Sequence, residues 1–424
     1  DIAEHVGEEV EIQGWLYNKR SSGPIAFLEL RDGTGWVQAV AVKKDFSEEV
    51  WTEMEKVGQE SSVAVVGTIT KHPKKENVFE LQVKDFKIIQ LAVDYPIALK
   101  DHGPDFLLDN RHLWLRSKKQ WAILRVRDSI ITAINEFLHK EGFVRTDSPI
   151  FTPSACEGTT TLFAVPYFDE GTAYLSQSGQ LYLEAAIGSV GRCYDFGPVF
   201  RAEKSKTKRH LTEFWMMDAE GAFIEHTENL VIQEVMVRHI IRYCLEHCQE
   251  ELIVLERDLE KLKQADAPFV HYSYDEAIKK LNELGSDIKY GEDLGNDDEG
   301  LLTKDSAVPV FIEKWPKSIK PFYMKRDPQN PELVLNDDLI ATEGGGELIG
   351  GSQREDDVNL LIERINKEGL NQADYEWYLD VRRYGSVPHS GFGIGLERAV
   401  RWICGIEHVR ETIPFPRTIG RLKP

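Results

Sequence analysis

The feature that most constrains the fold of this chain is a change of pattern along its length. Residues 9–43 alternate between apolar and polar side chains, and a DGTG sequence inside them predicts a hairpin between two strands. A short helix is predicted at 46–57, and the strand-like runs SSVAVVGTIT and VFELQVKDFKII follow it. Five strands with one helix in about ninety residues are typical of a small Greek-key barrel of the OB type.

The remainder of the chain follows a different pattern. From residue 119 the sequence has the period of a helix, and further helices are predicted near 226–250, 356–368 and 395–404. Strand-like runs lie between the helices without strict alternation, at 174–183, 192–200, 210–223, 308–313, 333–340 and 346–353. This arrangement predicts an α+β domain in which an antiparallel sheet is flanked by helices.

Two domains are therefore expected, as a length of 424 residues also indicates. We assign residues 1–93 to the barrel and 94–118, with Pro96 and the Gly103-Pro104 pair, to a hinge. Residues 119–424 form the second domain, and the acidic segment 252–300, which carries few structural signals, is interpreted as a peripheral insertion.

Composition excludes several classes of protein. The sequence contains no run of about eighteen apolar residues, so no membrane span is expected. The acidic N-terminus has no apolar signal core, and the five cysteines lack a paired spacing, which together indicate a reduced cytoplasmic protein. A net charge of −20 argues against a general nucleic-acid binder. Residues 201–209, however, hold five basic residues and one acid, so a partner bound at a few places fits.

The first candidate site is a hairpin with a basic loop. One strand is predicted to run to Arg201 and the next to begin near His210, which places Arg201 and Glu203 on one face. A guanidinium fits an α-phosphate with two hydrogen bonds and balances the charge that grows at the reacting phosphorus. Glu203 is suited to accept a hydrogen bond from an adenine amino group. Taken alone, a solvated charged hairpin is the plainer interpretation of these residues.

Two glycine-rich segments carry the second and third candidate sites. In GFGIGLERAVRWICG, alternate glycines let a strand pack close to a ligand, and Arg398 lies in the first turn of the helix that follows. In NDDLIATEGGGELIGGSQRE, Asp338 and Glu347 flank a glycine turn, and oxygen ligands of this kind suit Mg²⁺ on ATP phosphates. The alternative for the first segment is a packed glycine turn without a ligand. The alternative for the second is a hairpin with ordinary surface acids.

A fourth segment, LSQSGQLYLEAAIG, opens a predicted helix with uncharged hydrogen-bonding residues. Its serines and glutamines, Ser178 and Gln180 among them, suit the recognition of a small polar ligand. An ordinary capped helix start is the alternative interpretation.

Together and in this order, these motifs resemble those of the class II aminoacyl-tRNA synthetases. EGFVRTDSPIFTP resembles motif 1, FRAE followed by RHLTEF resembles motif 2, and GIGLER resembles motif 3. The segment GWLYNKRSSGPIAFLELRDGTGWVQ resembles the anticodon-binding barrel of the aspartate, asparagine and lysine branch. The resemblance covers nearly the whole chain apart from 252–300. It implies an ATP- and Mg²⁺-dependent ligase that charges a tRNA, with Pro149 at the interface of a homodimer.

The resemblance also implies the residues that bind ATP. Arg201, Glu203 and Arg398 act in catalysis, and Asp338 and Glu347 hold Mg²⁺. Phe214 stacks on the adenine with Arg398 near its other face, and Arg209 and His210 meet the terminal phosphates. The full ATP set is Arg201, Glu203, Arg209, His210, Leu211, Phe214, Glu347, Gly395, Leu396, Glu397 and Arg398.

The amino acid and the tRNA are assigned in the same way. Glu157, in a loop that closes over the α-ammonium group, is assisted by Gln180 and Asp218. The remaining amino-acid residues are Ser178, Leu183, Glu184, Arg201, Glu213, Gly350 and Arg354. In the barrel, Phe27 stacks on an anticodon base while Arg20 and Gln38 read base edges. Activation needs no side-chain nucleophile, because the amino-acid carboxylate itself attacks the α-phosphorus of ATP.

The sequence at the start of this helix indicates which amino acid is attached to the tRNA. Aspartate enzymes of this branch have QSPQLYK or QSPQLFK, and their lysine pairs with the substrate's side-chain carboxylate. This chain has QSGQLYLE, with Leu183 in place of the lysine. Removing a cation weakens a carboxylate ligand more than an amide, so asparagine and tRNA-Asn are expected. Glu184 or Glu213 is expected to accept from the amide, with Arg354 donating to its oxygen. The segments HLTEFWMMDAE and EGGGELIGGSQRE also resemble asparaginyl enzymes, above all the bacterial ones.

Three alternatives remain open at this point. An aspartyl enzyme of relaxed specificity is disfavoured by Leu183. A paralogue that makes asparagine with ATP would lack the anticodon barrel, which this chain has. A non-catalytic protein on the same scaffold is disfavoured by the intact set of Arg201, Glu203, Glu347 and Arg398.

Overall fold

The structure is a computed structural model that describes residues 2–158, 161–204 and 207–424. The chain divides into two compact units, Asp1–Gly103 and Pro104–Pro424. Each unit has a hydrophobic core of its own.

The first unit is a closed five-stranded barrel. Its strands are β1 (Glu9–Ser22), β2 (Ile25–Arg31), β3 (Trp36–Val42), β4 (Ser62–Lys71) and β5 (Phe79–Gln90), in the order β1-β2-β3-β5-β4. Alternate side chains point inward, and a single helix, α1 (Glu48–Lys56), adds Trp51 and Met54 to the core. Ser47 caps this helix by accepting a hydrogen bond from the Val50 N–H. The predicted OB-type barrel is confirmed.

The second unit is built on an eight-stranded sheet with the order β12-β13-β14-β15-β16-β11-β10-β6. The strands are β6 (Val144–Arg145), β10 (Arg192–Phe200), β11 (Glu213–Ala222), β12 (Val270–Ser273), β13 (Val310–Glu313), β14 (Asn336–Ala341), β15 (Gly346–Gln353) and β16 (His389–Gly395). All neighbours are antiparallel except β12 with β13 and β6 with β10. A small sheet holds β7 (Phe151–Thr152), β8 (Ala164–Pro166) and β9 (Thr172–Leu175).

Helices surround this sheet, and the predicted α+β class is confirmed. They are α2 (Pro104–Asp109), α3 (Arg111–Trp114), α4 (Lys118–Lys140), α5 (Gln180–Val190), α6 (His226–His247), α7 (Gln249–Val254), α8 (Leu259–Gln264), α9 (Tyr274–Glu283), α10 (Asn296–Thr303), α11 (Val358–Lys367), α12 (Glu376–Arg383) and α13 (Leu396–Cys404). The main core packs α4, α6 and α13 against the sheet. Within the described ranges, no helix is long and apolar enough to cross a membrane.

Three expectations from the sequence need correction. Residues 104–118 belong to the second unit and are not a hinge, because Arg111 is buried and donates hydrogen bonds to the carbonyl groups of Ile413 and Pro414. Residues 180–183 begin α5, as the segment LSQSGQLYLEAAIG predicted, and are not the end of the strand-like run 174–183. Its residues Gln180, Leu183, Glu184 and Ile187 are buried at helical spacing.

The third correction concerns the expected insertion at 252–300. Strand β12 pairs with β13 and forms the edge of the main sheet. Helices α9 and α10 pack with β13 and β14 around Trp315. The segment is therefore part of the fold of this unit.

Candidate active site

One row of residues across the sheet forms the floor of the site. Asp195 on β10 pairs with Asp218 on β11, which pairs with Gly393 on β16. Gly393 pairs with Gly350 on β15, and Gly350 pairs with Asp338 on β14. Directly paired residues point to the same face of a sheet, so carboxylates stand at both ends of a floor of glycines. This register explains the alternate glycines of the sequence, because a side chain at Gly393 would overlap Asp218.

A cavity lies over this floor and gathers most of the predicted residues. It is lined by Glu157, Ser178, Gln180, Arg201, Glu203, Arg209, His210, Leu211, Phe214, Asp218, Asp338, Glu347, Gly350, Arg354, Gly395, Glu397 and Arg398. These residues come from all four candidate segments and from the loop before β8. Residues to which the sequence interpretation gave no role also line it, together with Gly393, one of the alternate glycines: Met216, Lys320, Pro321, Tyr323, Met324, Leu348, Gly351 and Val409.

The loop between β10 and β11 brings a cation and an aromatic ring together. The N–H of Arg201 donates to the Thr212 carbonyl at 3.0 Å, and the Arg201 guanidinium lies 5.5 Å from the centre of the Phe214 ring. Strand β10 ends at Phe200, so the expectation that Arg201 and Glu203 share a strand face is wrong. The N–H of the next residue, Ala202, donates to the Thr161 carbonyl and not to β11. The side chains of Arg201 and Glu203 nevertheless both line the cavity. Ser205 and Lys206 of this basic loop lie outside the described residues.

Arg209 and His210 are held by acidic partners. The Arg209 guanidinium donates to Asn296 at 2.8 Å, to the Gly344 carbonyl at 3.0 Å and to the Glu299 carboxylate. Asn296 and Glu299 belong to α10, so the segment expected to be peripheral positions a residue of the cavity. His210 lies 3.5 Å from Glu203. Burial, reinforced by the nearby Arg398, lowers the pKa of His210.

Asp338 and Glu347 fit the expected Mg²⁺. Both line the cavity, and each has a cation of its own: Lys320 lies 2.6 Å from Asp338, and Arg398 lies 3.3 Å from Glu347. Burial raises the pKa of Asp338 to about 7 against the effect of Lys320, and the charge of Glu347 adds to the rise. Among the described residues no group of three His, Cys, Asp or Glu side chains is arranged for a metal. Two carboxylates with phosphate oxygens are the usual ligand set of Mg²⁺ on a nucleotide.

The opposite end of the cavity is lined by polar side chains in fixed positions. The Asp218 carboxylate accepts hydrogen bonds from the Ser178 hydroxyl at 2.8 Å and from the Gly179 N–H at 2.9 Å. The Glu157 carboxylate accepts one from the Tyr323 hydroxyl at 3.0 Å. Thr159 and Thr160, in the loop expected to close over the ligand, lie outside the described residues. This end presents carboxylate oxygens, which suits an ammonium group.

Arg354 lies beneath this end in a buried network of charges. Its guanidinium pairs with Glu220, with Nε at 3.0 Å from Oε1, and donates to the Ser352 hydroxyl at 2.7 Å. Glu184 lies 4.0 Å away. Burial opposes the charge of Arg354, but the adjacent Glu220 carboxylate outweighs burial and holds the pKa of Arg354 above its usual range.

A second arginine holds Glu184. The Glu184 carboxylate pairs with Arg382, and it accepts hydrogen bonds from the Tyr378 hydroxyl at 2.7 Å and from the Gln180 side-chain amide at 3.0 Å. Burial opposes ionisation, but Arg382 and then His389 outweigh it, so the pKa of Glu184 falls well below its usual range. Glu184 is therefore an ionised anchor behind the cavity.

Four of the residues predicted to bind ATP or the amino acid do not line the cavity. Leu183 packs with Ile187 and Cys193, and Leu396 packs into the main core. Glu184 faces Arg382, and Glu213 begins β11 opposite Phe200. The rotation of α5, β11 and α13 about their own axes decides which side chains face the cavity. Glu220 pairs with Arg354, in place of the expected Glu184 or Glu213. Neither the periodicity nor the motif sequences had indicated Glu220.

The three residues assigned to tRNA recognition lie together on the barrel. Arg20 pairs with Phe27 across β1 and β2, with its guanidinium 4.8 Å from the ring centre. Arg20 also donates to Gln38 at 3.1 Å, and Gln38 donates to Glu80 at 2.6 Å. Arg20 is exposed while Phe27 and Gln38 are half-buried. Their reading of bases stays a prediction.

Comparison with known families is decisive. The family described as tRNA synthetases class II (D, K and N) matches residues 103–419. The chain belongs to this family. An OB-fold nucleic acid binding domain, named for tRNA anticodon binding, matches residues 10–89. The chain is thus a class II aminoacyl-tRNA synthetase with an N-terminal OB domain.

Solved structures of this synthetase family resemble the chain over nearly its full length. The asparaginyl-tRNA synthetase of Pyrococcus horikoshii, complexed with asparaginyl-adenylate, is 44% identical with a TM-score of 0.96, covering 99% of this chain and 97% of that chain. The asparaginyl-tRNA synthetase of Entamoeba histolytica is 31% identical, covers 100% and 99%, and has a TM-score of 0.91. The aspartyl enzyme of the same organism is 28% identical, covers 100% and 92%, and has a TM-score of 0.83.

Proposed function

We propose that this synthetase is an asparagine–tRNA ligase. It activates asparagine with ATP to the aminoacyl-adenylate and transfers it to the 3′ end of tRNA-Asn. The observation that carries this proposal is the neutralised arginine beneath the amino-acid end of the cavity. The solved asparaginyl relatives, two of them bound to asparaginyl-adenylate, support it.

The charge of the pocket favours an amide over a carboxylate. Arg354 is already paired with Glu220, and Glu184 lies 4.0 Å from Arg354. A substrate carboxylate would add a negative charge beside two buried acids, whereas an amide adds none. Burying an unpaired charge costs several kcal/mol, on the order of 3–5. The amide oxygen accepts from Arg354 and its NH₂ donates toward Glu220.

Leu183 influences the choice of amino acid only indirectly. Its side chain packs in an apolar cluster, so it does not contact the substrate directly. Its contribution is that position 183 adds no lysine to the amino-acid end of the cavity. Arg354 is already paired with Glu220, so a carboxylate substrate finds no free positive partner there among the described residues.

In the activation step, the chain positions two ligands and balances charge. The amino-acid carboxylate attacks the α-phosphorus in line, and pyrophosphate leaves. Arg201 neutralises the oxygens at this phosphorus, which is the interaction that strengthens most in the transition state. Glu157 and Asp218 hold the α-ammonium group, with Gln180 beside them.

The nucleotide is held along the rest of the cavity. Phe214 and Arg398 lie against the adenine, and Glu203 accepts from its amino group. Arg209 and His210 meet the terminal phosphates. Asp338 and Glu347 would hold Mg²⁺, which neutralises charge on the phosphates when bound.

The second step transfers the acyl group to the terminal adenosine of the tRNA. A hydroxyl of that adenosine attacks the acyl carbon and AMP leaves. Selection of the tRNA is assigned to the barrel, where Phe27 offers a face for stacking and Arg20 and Gln38 offer polar groups.

Assembly and location complete the proposal. Pro149 is exposed and is followed by Ile150 and Phe151, which are 41% and 50% exposed. An apolar exposed segment in the motif 1 region supports a homodimer through this face. Five cysteines, all free and buried, support a reduced cytoplasmic location.

The test is the identity of the product esterified to tRNA. Total tRNA is incubated with ATP, Mg²⁺ and an equimolar mixture of asparagine and aspartate, and the ester is hydrolysed and identified by mass. We expect asparagine on tRNA-Asn. Aspartate on the tRNA would instead support an aspartyl enzyme of relaxed specificity. In a parallel incubation of isotopically labelled aspartate with ammonia and ATP, formation of labelled free asparagine would support a synthetase paralogue.

A further inference from the structure

Lys320 occupies an unusual position in the nucleotide end of the cavity. Its side chain is 12% exposed and lines the cavity wall. Its Nζ donates to the Asp338 carboxylate at 2.6 Å and lies 3.8 Å from the centre of the Trp315 ring. Trp315 is itself 1% exposed, so the ring is a fixed surface.

The contacts of Lys320 differ from those of the other cation at this site. Arg398 donates to the main-chain carbonyl of Glu347 at 2.9 Å as well as to the Glu347 carboxylate. Within the described part of the chain, the Lys320 ammonium donates only to Asp338. The carboxylate that binds Lys320 is therefore one of the two that are assigned to Mg²⁺.

A cation paired with a metal ligand competes with the metal. When Asp338 binds Mg²⁺, its pairing with Lys320 must weaken, because one carboxylate then serves two cations in a buried place. The Trp315 ring lets the ammonium stay at the site, since an aromatic face stabilises a desolvated cation by about 1–2 kcal/mol. A lysine released in this way faces the cavity, where phosphate oxygens are the matching acceptors.

We propose that Lys320 is an exchangeable counter-cation of the Mg²⁺ site. It neutralises Asp338 before the metal and nucleotide bind, and it donates to a phosphate oxygen of ATP after they bind. The inference rests on the proposed ATP-dependent function and adds a residue that binds the nucleotide. If Lys320 competes with the metal, its removal should tighten metal binding. If Lys320 only forms a structural ion pair with Asp338, its removal should not tighten it.

The experiment measures binding of Mn²⁺ alone, by electron paramagnetic resonance, and of ATP with Mg²⁺, by calorimetry, in the absence of amino acid. In Lys320→Met, the competitor of the metal is gone, so the Kd for free Mn²⁺ should fall roughly tenfold. The Kd for ATP should rise roughly tenfold, because a phosphate contact is lost. Lys320→Arg, which keeps the charge, should stay near the wild type in both.

Controls separate this exchange from loss of structure. Lys314→Met removes a lysine that pairs with Asp327 at 3.1 Å outside the cavity, and it should change neither Kd. If Lys320→Met does not fold, Lys320→Gln replaces it, since a neutral amide still donates to Asp338. A Kd for Mn²⁺ that is unchanged or higher in the folded variant overturns the proposal.

The two proposals fail in different ways. Both Kd values are read without amino acid, so a wrong assignment of asparagine leaves them unchanged. A wild-type chain that binds no ATP would instead contradict the proposed function.

Discussion

The barrel and the catalytic unit place their candidate sites in opposite environments. The barrel buries an apolar core and carries Arg20, Phe27 and Gln38 on exposed or half-buried strand positions. The catalytic unit buries its charges: Arg354, Glu220 and Glu184 are at most 3% exposed. A site for a large ligand can lie on a surface that folding does not need. A site that balances charge in a reaction needs groups fixed away from water, and these groups then depend on one another for stability.

The largest expected effect is on the reaction alone. Arg201→Ala should lower kcat/KM for ATP–pyrophosphate exchange by about a thousandfold, because the charge at the α-phosphorus loses its partner. Lys208→Ala is the matched control, since Lys208 lies in the same loop but pairs with Glu407 at the surface. A loss below tenfold in Arg201→Ala would remove Arg201 from the centre of the mechanism.

The next effect tests the coupling of stability and site. Arg354→Met should reduce the free energy of unfolding by about 3–5 kcal/mol, since Glu220 is left buried and unpaired. Adding Glu220→Gln should recover part of this loss. Urea unfolding of the two single variants and the double variant gives the coupling energy. Strictly additive losses would mean that the two side chains do not act as a unit.

A change in the barrel should leave activation intact. Phe27→Ala should lower kcat/KM for tRNA charging by about tenfold to a hundredfold, since stacking of one base contributes about 1–3 kcal/mol. Pyrophosphate exchange should be unchanged. Trp15→Ala, at a barrel aromatic that is 39% exposed, is the control and should affect neither step. A parallel loss of pyrophosphate exchange in Phe27→Ala would break the contrast between the two units.

The smallest effect is a pH dependence of stability in the catalytic unit. Burial, with Asp218 opposite, raises the pKa of Asp195 from 3.8 to about 8. The folded state then holds a proton that the unfolded state releases. The stabilisation is full below pH 3.8 and is lost as the pH rises toward 8. The wild type should therefore lose stability between pH 6 and pH 8, while Asp195→Asn should not. The difference in unfolding free energy between variant and wild type should grow by about 1–2 kcal/mol over this range. Equal slopes for the two proteins in unfolding at several pH values would contradict this.

The sequence predicted the fold and most of the cavity because both depend on local signals. Alternation predicted the barrel strands, and residue type with spacing identified Arg201, Glu203 and Arg398. Lys320 and Glu220 were missed, because only the register of distant strands and loops brings them to Asp338 and Arg354. The expected contact of Leu183 with the substrate is wrong, because a motif sequence gives the position of a residue along the chain and not the rotation of its helix.

The central claim is that a neutralised Arg354 selects an amide. Its direct test is ATP–pyrophosphate exchange by the wild-type protein with asparagine and with aspartate, each over a full concentration range. The account predicts that kcat/KM for asparagine exceeds that for aspartate by at least about a hundredfold, as expected when a charge is left unpaired in a polar site. Exchange with aspartate that comes within tenfold of that with asparagine would contradict it.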